Sequence, residues 1–320
     1  RDILQHSEAL NPLFAEISNS KSVLLAGAGG GFDFVSGIPI YLYLRKMGIE
    51  ITLANLSFTQ LPFSEAQEVF PGTYHITENC TDLPYFPEKY VLEWLQARGE
   101  NPSVYALSND MGVQPLRRAY AHIQSRHAID TLILVDGGTD SLMFGDESKV
   151  GTIVEDACSI VAANQLPIAN SYLLAIGFGV EHELNHHACL ENIAALTQTD
   201  EYLGAFSLTK AMPEGQAYLE LVQYLNEKMR LHESIVTNSI ASAMQGGFGD
   251  LPPTRRSKSS TQFISPLMNL YWSFRLQGLA ARIQFAQLIE DTTTMHEVAK
   301  IFQKYRAMNT RRAHQTIPLL

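Results

Sequence analysis

Four acidic residues follow a short apolar run near the middle of the 320-residue chain. The run covers residues 131–135, and the acids after it are Asp136, Asp140, Asp146 and Glu147. Apolar residues bounded by glycine and aspartate are typical of a buried strand. Carboxylates crowded at a strand end repel each other and lose solvation, unless the loop is open to water or a partner neutralises them. That partner would be a metal ion, a cationic group or a sugar rich in hydroxyls.

Two kinds of chemistry fit this acidic loop. Asp136 and Asp140, with Gly138 and Thr139 between them, offer hard oxygen ligands that suit Mg²⁺ or Ca²⁺. The loop resembles the aspartate loops that hold a divalent cation in some nucleoside hydrolases, although those follow the first strand and are richer in aspartate. Alternatively, one aspartate is a general base that the other orients, without a metal. A structural alternative is that Asp140 or Asp146 caps the following turn and the remaining acids are solvated.

A second candidate site is the glycine-rich turn at residues 27–33, GAGGGFD, between a predicted strand and a predicted helix. Small residues let backbone N–H groups approach a phosphate, ribose or carboxylate, and a helix N-terminus favours an anion. The dinucleotide fingerprint is incomplete, because Phe32 replaces the third glycine and residues 55–57 lack the usual acid. The lysine of ATP-binding loops is missing too, and Asp33 would repel a phosphate. The sequence disfavours NAD and leaves a substrate-binding turn or a purely structural one.

Residues 182–186, HELNH, match the zinc-peptidase pattern of two histidines one helical turn apart. On a helix, His182 and His186 would share a face and bind zinc, with Glu183 as the base. However, a third ligand is not evident, and the pattern opens a predicted helix directly after a strand that ends at Gly179. The alternative is a solvated first turn whose acids interact favourably with the helix dipole. Zinc is therefore disfavoured as a cofactor.

Two further segments carry polar groups that could reach a substrate. The first, at the end of a predicted strand, could hold hydroxyl groups, although its residue types are equally typical of a turn. It consists of Ser108, Asn109 and Asp110. The second, residues 246–262, is a polar stretch that could close over a phosphate or carboxylate, with a solvated loop as the alternative. Its cations are Arg255, Arg256 and Lys258.

These residues must be positioned by an alternation of strands and helices. Apolar runs predict strands at residues 22–27, 50–58, 104–107, 131–135 and 171–176. Helical periodicity predicts helices at residues 2–19, 35–47, 88–98, 114–126, 152–165 and 184–196. This alternation predicts an α/β fold with a Rossmann-like, doubly wound, mostly parallel sheet, whose functional groups lie at the carboxyl ends of the strands.

The pattern changes after residue 210. Helical periodicity continues without the intervening strands, at residues 215–229, 233–244, 266–289 and 295–305. We therefore predict a Rossmann-like core at residues 20–210 and a helical C-terminal layer, or cap, at residues 211–320. The two would pack together as one continuous domain.

Composition limits the classes of partner. The net charge of -10 argues against nucleic acid and against anionic membranes. No run approaches the roughly 18 apolar residues that a membrane helix needs, and the three cysteines are too far apart for a zinc or redox motif. The first residues show no signal-peptide pattern, although the chain begins with Arg1, as a shortened chain would. We expect a cytoplasmic protein with a small-molecule substrate, and a homo-oligomer is compatible with this expectation.

Four segments, taken in order, resemble the DUF1152 family. They are GAGGGFDFVSGIP (27–39), VDGGTDSLMFGDE (135–147), GFG (177–179) and GAFSL (204–208). The resemblance extends over most of the chain, and the acidic loop is its most specific part. It implies an α/β fold with one shared site. The family name records no assigned function, so the resemblance implies no reaction.

We therefore expect a hydrolase or group-transfer enzyme that acts on a nucleotide, nucleoside or phosphorylated sugar in a cleft at the strand carboxyl ends. Asp136 and Asp140 would be catalytic or would bind a divalent cation, Mg²⁺ or Ca²⁺. The predicted substrate-binding residues are Gly29, Gly30, Gly31, Asp33, Ser108, Asn109, Asp110, Gly138, Thr139, Asp146 and Glu147. One alternative is a ligand-binding sensor that uses the same cleft without catalysis. The other is a zinc-dependent hydrolase that uses His182 and His186.

Overall fold

The apolar runs form a nine-stranded mixed sheet in the computed structural model, which describes residues 10–182, 184–254 and 260–318. The central strands are almost completely buried, because both of their faces are covered. In chain order the strands are β1 (Ser22–Gly27), β2 (Glu50–Ser57), β3 (Gln67–Phe70), β4 (Thr73–Ile76), β5 (Val104–Ser108), β6 (Thr131–Gly137), β7 (Asn170–Ile176), β8 (Tyr202–Ser207), β9 (Gly249–Leu251), β10 (Gln262–Ile264) and β11 (Leu270–Arg275). Strands β9 and β10 form a separate antiparallel hairpin.

The strand order creates a crevice beside β1. The sheet reads β3-β4-β5-β2-β1-β6-β7-β11-β8, and the neighbours from β5 to β7 are parallel. The chain builds from β1 through β2 to β5, and then returns to place β6 on the other side of β1. The connections that leave β1 and β6 therefore diverge, and such a switch point is where ligands bind in open parallel sheets.

Helices cover both faces of the sheet. In chain order they are α1 (Pro12–Ile17), α2 (Ile38–Lys46), α3 (Pro87–Gln96), α4 (Val113–His127), α5 (Ile153–Asn164), α6 (His186–Thr197), α7 (Pro213–Lys228), α8 (Ile235–Met244), α9 (Leu276–Ala280), α10 (Ala286–Ile289) and α11 (Met295–Met308). One apolar cluster joins α1, α2, α3, α7 and α8 to Val23 and Leu25 of β1. A second joins the other helices to Leu24 and Ala26, which point to the opposite face. None of the helices in the described residues is both long and apolar enough to cross a membrane.

The α/β class is confirmed, and the strands predicted between residues 22 and 176 are all present. The helix predicted over residues 266–289 is wrong in its first half and correct in part of its second half, where α9 and α10 lie. The first half contains β11, which lies between β7 and β8 and runs antiparallel to both. The run LYWSFR is rich in aromatic residues that favour a half-buried pleated surface, and pairing on both edges overrides its helical spacing. In the described part of the polar stretch 246–262, residues 249–251 form β9 and Gln262 begins β10.

The chain after α11 returns to the second half of the acidic loop. Arg312 donates two hydrogen bonds to Asp146 Oδ1, at 3.1 and 2.9 Å, and one to Glu147 Oε1 at 2.8 Å. Glu147 is fully buried and also accepts hydrogen bonds from the backbone N–H groups of Phe144 and Gly145. Arg312 therefore neutralises two of the four acids in this loop.

Replacement of Arg312 by alanine should destabilise the protein by about 2 to 4 kcal/mol, because Glu147 would remain buried without its cationic partner. The control is Arg311→Ala, which removes an exposed arginine next to it. Urea unfolding followed by circular dichroism would measure both changes. Equal stabilities of the two variants would contradict a stabilising role for the Arg312 contacts.

Candidate functional site

A cavity of about 520 Å³ opens where β1 and β6 end. We call it the acidic pocket, because its wall carries carboxyl groups from several separate segments of the chain. They belong to Asp33, Asp136, Asp140, Glu155, Asp156, Glu181 and Glu233. Within the described part of the chain, no lysine or arginine lines this cavity. The described lysines and arginines therefore do not compensate the charges of Asp33, Asp136, Asp140 and Asp156.

Three aspartates form the centre of the acidic pocket. Asp33 follows the glycine turn after β1, Asp136 lies in β6, and Asp156 lies near the start of α5. One carboxylate oxygen of each lies within 4.8 Å of the others. Oxygens that bind one Mg²⁺ or Ca²⁺ ion lie about 2.0–2.6 Å from it, so oxygens this close can share an ion. These three residues are the candidate metal ligands.

Asp33 joins the ends of the two central strands. Its Oδ2 accepts a hydrogen bond from the Gly29 N–H at 2.6 Å, and its Oδ1 accepts one from the Gly137 N–H at 3.2 Å. The Gly31 N–H donates to the Leu56 carbonyl at 3.1 Å. The amides of Gly29 and Gly31, which were predicted to hold an anion of the substrate, are thus already paired within the protein.

Asp156 is the least satisfied acid of the pocket. It is only 1% exposed, and its Oδ1 has no hydrogen-bond partner among the described residues. Its carboxylate lies directly over the glycine turn, since a Cβ at Gly29 would be 2.5 Å from Asp156 Oδ2. A buried carboxylate oxygen without a partner loses its hydration and gains no interaction in exchange. A bound proton or a cation must therefore compensate for the lost hydration.

Asp140 and Glu181 each accept at least one hydrogen bond from the loops around the pocket. Asp140 Oδ2 accepts from the N–H and the hydroxyl of Thr152, at 3.0 and 2.6 Å. Glu181 Oε1 accepts from the Thr139 N–H at 2.8 Å. A Cβ at Gly138 would be 1.9 Å from that oxygen, so only glycine allows Glu181 to approach this loop. These contacts aim the carboxylates into the cavity.

Burial and mutual repulsion shift the ionisation of these groups. Burial raises the pKa of Asp33 to about 8, and the charge of Asp140 adds to the rise. The same causes raise the pKa of Glu181 to about 8. The pKa values of Asp136 and Asp156 also lie well above their usual range, chiefly through burial and then through Asp140. A divalent cation held by Asp33, Asp136 and Asp156 would favour the charged forms of these three ligands.

A buried polar network holds the glycine turn from below. Asn55, at the end of β2, donates one hydrogen bond to the Gly31 carbonyl at 2.8 Å and another to Glu88 Oε1 at 2.9 Å. Glu88 also accepts a hydrogen bond from the Thr59 hydroxyl at 2.9 Å. The position where dinucleotide-binding proteins carry a ribose-binding acid therefore has a structural role here.

The predicted site residues divide into three groups. Those that line the acidic pocket are Gly29, Gly30, Gly31, Asp33, Asp136 and Asp140. Gly138 and Thr139 lie behind it and position Glu181. The structure places the others elsewhere. Asp146 and Glu147 contact Arg312. Ser108 donates a hydrogen bond to Asp110, while Asn109 and Asp110 are exposed, as in the turn alternative.

The zinc motif does not have the predicted geometry. Helix α6 begins at His186, and His182 lies in an exposed turn before it, so the two histidines are not on one helical face. The His186 ring packs on Phe178, with centroids 5.3 Å apart. Neither histidine belongs to the candidate metal group identified in the described residues. Glu183 lies outside the described residues, as do the predicted clamp residues Arg255, Arg256 and Lys258.

Sequence reasoning missed several lining residues. Asp156 shares a helical face with the buried Ile153 and Ile160, and a carboxylate within an apolar stripe is a signal that could have revealed it. Glu181 follows the glycine turn after β7, a position that could have indicated a site residue. It lies just before the HELNH pattern and is not part of it. The aromatic residues Phe58 and Tyr85 come from loops with no motif.

Comparisons with known proteins agree with the resemblance in sequence. A family model described as "Protein of unknown function (DUF1152)" matches residues 24–310, which is nearly the whole chain. No curated protein and no solved structure matches.

In the absence of divalent cations, the acidic pocket should make the protein less stable as the pH rises from about 5 to about 8.5. The pKa rises from 3.8 to about 8 for Asp33 and from 4.5 to about 8 for Glu181. Between these values the folded state binds more protons than the unfolded state, so this stability is present at low pH and is lost as the pH rises through the folded pKa.

Thermal melting in the presence of a chelator would test this, with an expected loss of at least about 5 °C over that range. Added Ca²⁺ or Mg²⁺ should restore most of the loss at pH 8.5. Asp156→Asn removes one of the interacting acids and should flatten the pH dependence, so the difference between the two proteins isolates the pocket from other titrating groups. Parallel pH profiles would contradict the prediction.

Proposed function

Because the chain belongs to the DUF1152 family, whose description assigns no function, we propose a function from the chemistry of its acidic pocket. The protein is a divalent-cation-dependent hydrolase or group-transfer enzyme that acts on a small molecule rich in hydroxyl groups. The observation that carries this proposal is the buried Oδ1 of Asp156, which has no hydrogen-bond partner in the described part of the chain and belongs to a group of three carboxylates with oxygens within 4.8 Å of one another.

The ligand set favours Mg²⁺ or Ca²⁺. Asp33, Asp136 and Asp156 would hold the ion through oxygen atoms alone, and hard cations prefer such ligands. Zinc sites instead use histidine or cysteine in most cases. Three carboxylates do not complete the six to eight ligands of these ions, so water and substrate hydroxyls would complete the shell. The bound ion would polarise the substrate and lower the pKa of a bound water.

The substrate is better described as a neutral polyol than as a phosphate ester. The amides of Gly29 and Gly31 are paired with Asp33 and Leu56, so the glycine turn offers no free N–H at these positions to a phosphate. The carboxylates that face the cavity would accept hydrogen bonds from hydroxyl groups and repel a phosphate. This favours a nucleoside or another glycoside over the nucleotide and phosphorylated sugar that the sequence also allowed.

The chain's own acids supply the proton transfers of hydrolysis. Asp140 would take one proton from water, whose oxygen forms a bond to the anomeric carbon. The bond from that carbon to the leaving group breaks, and its electron pair departs with the leaving group. Glu181 is not one of the three proposed ligands, and burial and the charge of Asp140 raise its pKa to about 8, so it would be the acid that donates a proton to the leaving group.

The position of the pocket supports the same proposal at the level of the fold. The central order β5-β2-β1-β6-β7 has the arrangement of a Rossmann-like sheet, with the change of direction between β1 and β6. We propose the Rossmann-like relationship on this basis. The C-terminal region would act as a cap through α8, since Val236 lines the pocket.

The cation site can be tested by calorimetric titration of the chelator-treated protein with Ca²⁺ and Mg²⁺. Wild type should bind one of them, and Asp156→Asn should bind it more than about 100-fold more weakly, because removal of even an indirect contact of a metal ligand costs 10–100-fold. The matched control is Asp291→Asn, an exposed aspartate far from the pocket in sequence. Equal affinities in the two variants would rule out Asp156 as a ligand.

Turnover is tested separately, by incubation of the protein with ribonucleosides and with other glycosides in the presence of the bound ion. Chromatography should show release of the aglycone by wild type and its loss in Asp156→Asn. A melting temperature that rises with ligand, while the ligand stays intact, would instead favour the ligand-binding sensor.

A further inference from the structure

A second cavity of about 520 Å³ adjoins the acidic pocket and has the opposite character. Its wall carries three rings and two other apolar side chains, with one amide group. The residues are Phe58, Gln60, Leu83, Pro84, Tyr85 and His232. We call this cavity the aromatic alcove. Phe58, Tyr85 and His232 line both cavities, so the two lie side by side and share these rings as part of their walls.

We infer that the aromatic alcove binds the planar base of a ribonucleoside whose ribose lies over the carboxylates of the acidic pocket. This inference rests on the proposed function and deepens it, because it names the class of glycoside. A flat heterocycle and a ribose diol need an apolar slot joined to an acidic, cation-binding cavity, and the two cavities supply that pair. A simple sugar or a sugar phosphate would leave the alcove empty.

The rings of the alcove are held in place by contacts with one another and with the glycine turn. Tyr85 packs edge-to-face against His232, with centroids 5.6 Å apart, and against Phe32 at 5.7 Å. A Cβ at Gly30 would be 2.9 Å from Phe58 Cζ. The glycine turn therefore lets the Phe58 ring approach the backbone, which orients that ring for a ligand.

Phe58 remains 46% exposed in spite of these contacts. A single exposed aromatic residue is common on protein surfaces. Here, however, the exposed ring shares the wall of a cavity with two other rings that come from distant segments of the chain. Rings grouped in this way provide the stacking faces that bases use, and stacking tolerates any base.

Gln60 adds a polar group to the alcove. Its side-chain amide offers donors and an acceptor, which match the mixed donor and acceptor edge of a base. No described lysine or arginine lines the alcove, so its chemistry does not favour a phosphate or carboxylate at this end of the ligand. The alcove therefore suits a neutral heterocycle better than a charged group or a long aliphatic chain.

The test compares the binding of adenosine, uridine and ribose at a saturating concentration of the cation, by calorimetry or, where the ligand is consumed, through KM. The three proteins are wild type, Phe58→Ala and Phe63→Ala. Phe63 is a nearby exposed phenylalanine that lines neither cavity, so it is the matched control. Phe58→Ala should weaken the binding of both nucleosides by at least about tenfold, because loss of a stacking ring has an effect of this size.

Phe58→Ala should leave the affinities for the cation and for ribose within about twofold of wild type, and Phe58→Trp should restore nucleoside binding. Equal nucleoside affinities in Phe58→Ala and Phe63→Ala would overturn the inference. So would ribose binding as tight as that of adenosine in wild type. Either result leaves the proposed function standing if the cation and ribose bind.

The proposed function fails separately if the cation does not bind to wild type. Nucleoside binding that depends on Phe58 in that case would still support the alcove. A protein that binds neither the cation, nor ribose, nor a nucleoside would overturn both the inference and the proposed function.

Discussion

Repulsion among closely spaced carboxylates, two of them buried and one half-buried, is the constraint on which the architecture around the crevice depends. Asp33, Asp136 and Asp156 each present an oxygen within 4.8 Å of the others in a cavity that the described lysines and arginines do not reach. Taking an ion out of water costs several kcal/mol even after relaxation, whereas a whole domain is stable by only about 5–15 kcal/mol. The folded protein therefore cannot hold all three charges uncompensated. It must keep protons on some of them or bind a cation.

The glycines of the two motifs follow from that constraint. A Cβ at Gly29 would clash with the carboxylate of Asp156, and one at Gly138 would clash with that of Glu181. Each glycine thus removes a side chain at a point where an acid must reach the backbone. The glycine turn does bind an anion, because its Gly29 N–H donates a hydrogen bond to the carboxylate of Asp33. The anion that it holds belongs to the protein.

Local pattern was enough to predict the five parallel strands at the centre of the sheet, the helices between them and the acids at the ends of β1 and β6, since each signal lies within a few residues of chain. It could not predict β11, because that strand depends on pairing with β7 and β8 on both edges. Nor could it predict that Asp156 lies close to Asp33. The two residues meet only because the chain returns from β5 to place β6 beside β1. The sequence placed Asp146 beside Asp136, yet Arg312 at the far end of the chain decides its role.

The two halves of the acidic loop differ in how their charges are neutralised. Its second half is neutralised from within, since Arg312 lies 2.9 Å from Asp146 and 2.8 Å from Glu147. For Glu147, which is fully buried, the chain itself supplies a basic partner. Its first half has no such partner in the described residues, although Asp136 is as deeply buried. The difference cannot come from local sequence, because both halves belong to one short loop. It is explained if the cation that neutralises Asp136 comes from solution.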